Sequence, residues 1–290
     1  MGGRLMDGRS PFVLGRGELA CHCLLVETRN GLVLVDTGLG LRDCRHPRTR
    51  LSAFFLALLR PALREEMTAV RQVARLGYDP RDVRHIVLTH LDFDHAGGLD
   101  DFPEATVHLL GAERTAAFSQ RTWLDRQRYR PQQWSTRDKW RVYAANQGDT
   151  WHGFSCVREL NGVGDDIVMV PLVGHTFGHA GIAVKRRIGG AARWLLQAGD
   201  AYFFHQEMDL ERPHCTPGLR FYQWMMQKDS HARRSNQERL RELKRRHGDA
   251  VAVCCGHDPT EFERFSARVV RDPADRRALA NHQGRLGLGT

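Results

Sequence analysis

Short apolar runs of strand length alternate with polar turns along most of the chain. Cys21 to Thr28 and Leu32 to Asp36 flank Asn30-Gly31, a tight-turn pair that predicts an antiparallel hairpin, and Phe12 to Leu14 reads as a short strand before it. Further strands are predicted at Arg84 to Leu88, Thr106 to Leu110, Ile167 to Leu172, Gly181 to Lys185, Arg193 to Gln197 and Ala250 to Cys254, with a Gly189-Gly190 turn inside the series. Helical spacing appears from Arg64 to Leu76, where Met67, Val70, Val73 and Leu76 share a face, from Ala112 to Phe118, and from Gln237 to His247 with Leu240 and Leu243 inward. The order suggests two β-rich halves, each followed by helix.

Three stretches break this pattern. Leu39 to Gly77 hold an insertion, LSAFFLALLRPALREEM, more apolar than a loop should be, which reads as a packed helix, a homodimer contact or one wall of an apolar pocket. Gln120 to Phe154 scatters Trp123, Tyr129, Trp134, Trp140, Tyr143 and Trp151 among Arg, Gln and Asp with little periodicity, and Tyr202 to Gln227 is similarly irregular and aromatic. Such stretches suit a pocket lip or a surface excursion pinned by its aromatics. The domain reading is one unit over residues 1–272 with insertions at about 39–63, 119–160 and 202–236, followed by a polar tail over 273–290 with the composition of a disordered end.

Composition adds little to the fold and more to the exclusions. The chain has 290 residues, enough for a sizeable core, and a net charge of +9 spread along it rather than gathered in one stripe. Scattered charge attracts anionic small molecules in general, and without a recognition motif it does not make a nucleic-acid groove. The seven cysteines form no CxxC pair, so buried thiols in a reducing, cytoplasmic setting are expected. The start of the chain has no apolar leader, and its longest apolar run, Leu51 to Leu59, is too short to span a bilayer.

The chemistry concentrates in Val87 to Gly98, VLTHLDFDHAGG, which places His90, Asp92, Asp94 and His95 on a loop at a strand end. In extended backbone His90, Asp92 and Asp94 point one way, and His95 is rotated toward a second point nearby. Imidazole and carboxylate without Cys suit zinc, iron or manganese. Gly97 and Gly98 let backbone pass close by. Three later predicted strands end in the same manner, at Gly174-His175, Gly199-Asp200 and Gly256-His257. Seven groups result, enough for two divalent ions sharing a carboxylate. Asp36, at the end of its own strand, could orient a ligand or close a turn.

These motifs resemble the metallo-β-lactamase-fold hydrolases, whose signature is HxHxDH followed by distant His, Asp and His after strands. Within that group the chain looks like the lactonases that act on acyl-homoserine lactones, through THLDFDHAGG, GHTFGH, GDA and GHDP. The resemblance covers about Cys21 to Pro259 and implies an α+β fold, a four-layer αβ/βα sandwich of two mixed sheets flanked by helices. It implies a first metal on His90, Asp92 and His175, a second on Asp94, His95 and His257, and Asp200 bridging them, with His179 outside the metal set. Asp92 is the departure, since the family has His there. Carboxylate in that position adds negative charge, and favours a harder metal, raises the basicity of the bound hydroxide or loosens the first site.

The implied activity is a metal-bound hydroxide opening a small ester, foremost a lactone or related acyl compound, with zinc as the first choice of metal and iron or manganese as alternatives. Asp94 would pass a proton to the leaving group, and Tyr202 would steady the oxyanion or simply pack over the site. A phosphodiesterase or nuclease of the same fold, and a non-hydrolytic diiron or metal-binding protein altered by Asp92, are the alternatives. The expected partner is a small, anionic or acylated substrate, with no nucleic acid and no membrane span.

Overall fold

Two sheets carry the architecture of the computed structural model, which describes residues 2–188 and 191–269. The Gly189-Gly190 turn and the tail over 273–290 lie outside the described residues. The first sheet has the strand order β1 (Leu24–Thr28), β2 (Gly31–Val35), β3 (Val83–Val87), β4 (Thr106–Leu110) and β5 (Trp140–Tyr143). β1 and β2 form the hairpin closed by Asn30-Gly31, and β2 to β5 run parallel. The second sheet has β6 (Asp149–Trp151), β7 (Phe154–Leu160), β8 (Gly164–Pro171), β9 (Ala180–Ile188), β10 (Ala191–Gln197) and β11 (Val251–Cys254) in the spatial order β11-β10-β9-β8-β7-β6. All its pairs are antiparallel except β10 with β11. Both sheets are therefore mixed.

The strands are apolar on both faces because both faces are covered. Val33 and Val35 of β2 meet Ile167 and Met169 of β8 and Ile182 of β9 between the sheets. Leu32, Leu34 and Ile86 point the other way, onto Val73 and Ala117 of the helices Ala69–Arg75 and Gly111–Ser119. On the far side of the second sheet Val168, Val170 and Ala183 face Leu240 and Leu243 of the helix Ser230–His247. Asp229 caps that helix by accepting the Ala232 N–H at 2.9 Å, and Lys244 to His247 complement its C-terminal dipole. The result is the α+β, four-layer αβ/βα sandwich that the resemblance implies.

The departures lie where apolar periodicity is weak. Phe12 and Leu14 form no strand; they are exposed on a bent segment, 73% and 82% accessible. The irregular stretch 119–160 contains β5, β6 and β7, of which β5 and β6 are edge strands with outer residues facing solvent, so the stretch shows no clean alternation. The stretch 202–236 contains the helix Pro217–Met226, opened by Pro at its first position, with Leu219, Tyr222 and Met226 inward and Phe221 and Trp224 outward. Met67 and Leu76 are exposed, and only Val73 of their predicted face is fully buried.

The apolar insertion folds as the helix Ala53–Leu59, with Phe55 buried. It joins Leu51, Phe93, Phe203, Leu219, Tyr222 and Met226 in a separate cluster. With Leu124 also packed against it, segments from all three irregular stretches meet in the cluster that holds Phe93, which sits between Asp92 and Asp94. No helix among the described residues is long and apolar enough to cross a membrane.

Candidate metal centre

Each of the seven predicted ligands lies where a strand runs out. β3 leads into His90, Asp92, Asp94 and His95; β8 leads, through a turn, into His175; β10 leads into Asp200, and β11 into His257. The adjoining edges of the two sheets bring them together. His90, Asp92, His175 and Asp200 present donor atoms within 4.8 Å of one another, and His95, Asp200 and His257 do the same. Cys21, exposed and just before β1, forms a third such group with Asp94 and His257, a neighbour that sequence reasoning missed.

The Asp200 carboxylate is divided between the two groups. Its Oδ2 lies 3.3 Å from His175 Nε2 and 3.7 Å from His90 Nε2, while Oδ1 lies 3.1 Å from His257 Nε2 and 3.2 Å from His95 Nε2. Asp92 Oδ2 completes the first group at 3.1 Å from His175 Nε2 and 3.3 Å from His90 Nε2. Four donors about 2.0–2.1 Å from a central ion in a tetrahedron stand roughly 3.3–3.4 Å apart, so these spacings fit a metal. His90 Nε2 and Asp200 Oδ1 are buried without a hydrogen-bond partner, as atoms aimed at an ion would be. Asp94 stands 3.7 Å from His257 Nε2, and its side chain is the most accessible of the seven at 14%.

The predicted ligands are held from behind. Asp36, at the end of β2 with a φ of 56°, accepts the Thr89 N–H and hydroxyl, each at 2.8 Å, and the His95 Nδ1–H at 2.9 Å. Of its two predicted roles it performs the orienting one. His257 donates Nδ1–H to the Ala20 carbonyl at 2.7 Å. With both Nδ1 atoms donating outward, both Nε2 lone pairs face the centre. His179 donates Nδ1–H to Leu172 O at 2.9 Å, so its Nε2 accepts the Asp200 N–H at 2.8 Å. Gly199 is required at this turn: its φ is 52°, and a Cβ would come within 2.6 Å of His179 Nε2. Glu113, another residue without a sequence signal, accepts from Leu91 N at 2.9 Å, Gly178 N at 3.2 Å and the Thr176 hydroxyl, and so ties the first ligand loop to the His175 loop.

Charge in the cluster is strongly coupled. Burial raises the Asp200 carboxyl, but His257, His95, His175 and His90 outweigh it and hold it well below the usual range. Burial lowers His257, and Asp200 and Asp94 reverse this to about 9. Burial, then His95, push the His90 imidazole well below its ordinary value. For Asp92, burial is overcome first by Arg128 and then by His90, and the carboxyl sits well below its ordinary value.

Arg128 is the largest surprise of the site. It closes the helix Trp123–Arg128, is fully buried, and grips Asp92 with both arms, Nε to Oδ1 at 2.6 Å and Nη2 to Oδ2 at 2.5 Å. Tyr202, by contrast, is not brought to the cluster. Its hydroxyl lies 3.0 Å from both oxygens of Glu261, inside the fold. Phe203 faces the site instead, stacked on His257 at 5.2 Å and 18° with Tyr222 against its edge.

A family model described as the metallo-beta-lactamase superfamily matches residues 16–257. A probable metallo-hydrolase of Mycobacterium tuberculosis is 42% identical over 245 residues, which cover 84% of this chain and 76% of that protein. An N-acyl homoserine lactonase of a Bacillus species is 35% identical over 100 residues, 34% of this chain and 40% of that protein. Among solved structures, an N-acyl homoserine lactone hydrolase with the product N-hexanoyl-L-homoserine at its catalytic metal centre superposes with a TM-score of 0.62 at 21% identity, over 90% of this chain and 89% of that one. A Bacillus thuringiensis lactonase variant with N-decanoyl-L-homoserine at its active site gives 0.61 at 21% identity, over 84% of each chain.

Proposed function

This chain belongs to the metallo-beta-lactamase superfamily, and from that premise we propose that it is a two-metal hydrolase that opens small lactones or closely related acyl esters. One observation carries the two-metal reading: Asp200 turns one carboxylate oxygen toward His90 and His175 and the other toward His95 and His257. His90, Asp92, His175 and Asp200 would hold the first ion. Asp94, His95, His257 and Asp200 would hold the second, with zinc as the metal we assign. When bound, such ions supply Lewis acidity toward a carbonyl and lower the pKa of water toward about 7.

The chain's own residues do the rest. Asp36 and the Ala20 carbonyl keep His95 and His257 in the tautomer that leaves Nε2 free, and His179 orients Asp200. Substrate approaches past Asp94, the most accessible carboxylate of the centre. In this reading Asp94 holds the proton that water releases and delivers it to the departing alkoxide oxygen. Phe93, Phe203 and Tyr222 are packed into the apolar cluster beside the centre, and this apolar side is where we place the acyl portion of such a substrate. The acyl-homoserine molecules bound in the structural neighbours agree with this class.

The test is zinc, iron and manganese analysis of the purified protein with a panel of N-acyl homoserine lactones, thioesters and phosphodiesters. Metal-dependent turnover of lactones or esters is the expected result. Cleavage of phosphodiesters alone, or a chain that neither holds nor responds to these metals, would overturn the proposal.

A further inference from the structure

Asp92 occupies a position at which the motif it resembles has histidine, and the exchange changes more than the donor atom. A neutral imidazole becomes a carboxylate in a buried pocket that already contains Asp200 and Asp94. An uncompensated buried carboxylate is strongly unfavourable. Arg128 supplies the missing charge. Its guanidinium is permanently cationic and fully buried, and its fork matches both oxygens of Asp92 at 2.6 and 2.5 Å. The remaining arm donates to Met226 O at 2.7 Å, which fixes the guanidinium from the opposite side. Nη2 also donates to His175 Nε2 at 2.8 Å, so the cation holds a lone pair of the first ligand group that the ion would have to take over. Arg128 itself comes from the aromatic stretch, far from the ligand loops in sequence.

We propose that Asp92 and Arg128 act as one net-neutral unit in place of a histidine ligand, with Arg128 as the positioning residue that makes a carboxylate acceptable at the first metal position. The unit keeps the charge of that position equal to that of an imidazole, while Asp92 Oδ2 stays 3.1 and 3.3 Å from the two histidine Nε2 atoms. The two residues are then interdependent. Restoring histidine at position 92 alone leaves a buried guanidinium facing a neutral ring, and that cation repels the first ion. Removing Arg128 alone leaves a carboxylate that only the ion can neutralise.

The inference rests on the two-metal reading, and zinc binding separates the two. Bound zinc per chain, measured by mass spectrometry after dialysis, is expected to fall by roughly half in Asp92→His and to return to the wild-type value in Asp92→His/Arg128→Met. A second arm uses Arg128→Met alone and needs no histidine variant to fold. Its melting temperature is expected to drop in the metal-free protein and to recover with zinc, so that the gap between the two forms widens beyond that of the wild type. If Arg128 merely ties Asp92 to Met226 in the fold, both forms fall together and the inference fails. It fails equally if Asp92→His alone holds as much zinc as the wild type. A wild-type chain that binds no zinc at all would instead remove the two-metal reading beneath it.

Discussion

His179 accepts the backbone N–H of Asp200 through Nε2 at 2.8 Å, because its Nδ1–H is committed to the Leu172 carbonyl. The imidazole is buried, and burial with His175 nearby pushes it down to about 3, so it remains a neutral acceptor throughout the working range. An imidazole four residues after a predicted ligand thus acts from behind on the residue whose carboxylate is shared by the two donor groups. Replacing it with alanine leaves the Asp200 N–H unpaired and the carboxylate free to rotate. In His179→Ala we expect zinc affinity or kcat/KM to fall about 10–100-fold, the usual cost of losing a group that orients a ligand. Competition with a chromophoric chelator measures the first and steady-state kinetics the second.

Asp36 leads to a parallel expectation at the second position. Its φ of 56° is tolerated by asparagine, so Asp36→Asn keeps the turn. It removes the charge that holds the His95 Nδ1 proton. Zinc at the second position should bind about tenfold or more weakly, and the first position should change less. A two-step zinc titration monitors both positions, and equal weakening of the two steps would contradict the assignment.

Tyr202 should be dispensable for turnover. Its hydroxyl is spent on Glu261, whose other hydrogen bond, from Cys255 N at 2.8 Å, anchors the end of β11. Tyr202→Phe leaves a buried carboxyl short of a donor and is expected to cost about 1–3 kcal/mol of stability. Catalytic efficiency should stay within roughly twofold, since the lost hydroxyl touches none of the seven ligands. Denaturant unfolding and kinetics on the same variant distinguish the two effects.

Stability should depend on pH through His108, away from the metal centre. It bridges His85 at 2.9 Å and the Tyr143 hydroxyl at 2.8 Å, and burial, followed by the neighbouring His85 and Arg141, lowers it to about 3. The unfolded chain protonates this side chain near its ordinary value of about 6.5. Between about 6.5 and 3 the unfolded state therefore binds more protons than the folded state, and stability falls as pH is lowered through that window. In His108→Gln the urea midpoint should decline less steeply over the same range. An unchanged slope would show that this imidazole does not contribute.

Where both faces of a strand are buried, the sequence carried the architecture openly. Leu32 to Val35 and Ile167 to Val170 are continuous apolar runs because they separate two cores. The candidate ligand loop was legible for a related reason: its four metal-ligating side chains follow a buried strand abruptly, and the structure gathers them with His175, Asp200 and His257. Edge strands such as β6 had no such pattern, since Asp149 and Thr150 face solvent. Arg128 and Glu113 were hidden for another reason. A buried Asp92 demands a cation, but which of many arginines supplies it depends on how the helix Trp123–Arg128 crosses the loop, and no local spacing encodes that.

The cluster around Phe93 has a consequence for how this protein could be altered. Phe93 lies between Asp92 and Asp94, yet its ring packs 4.7 Å from Phe55 of the inserted helix, in a cluster with Phe203 and Tyr222. The surface that would recognise a substrate and the loop that would hold the ions therefore share a single knob. The two are not separable modules. Swapping the covering segments to change substrate acceptance would also shift the ion-binding loop, so the scaffold's room for new specificities is limited by the mechanical tolerance of the metal centre.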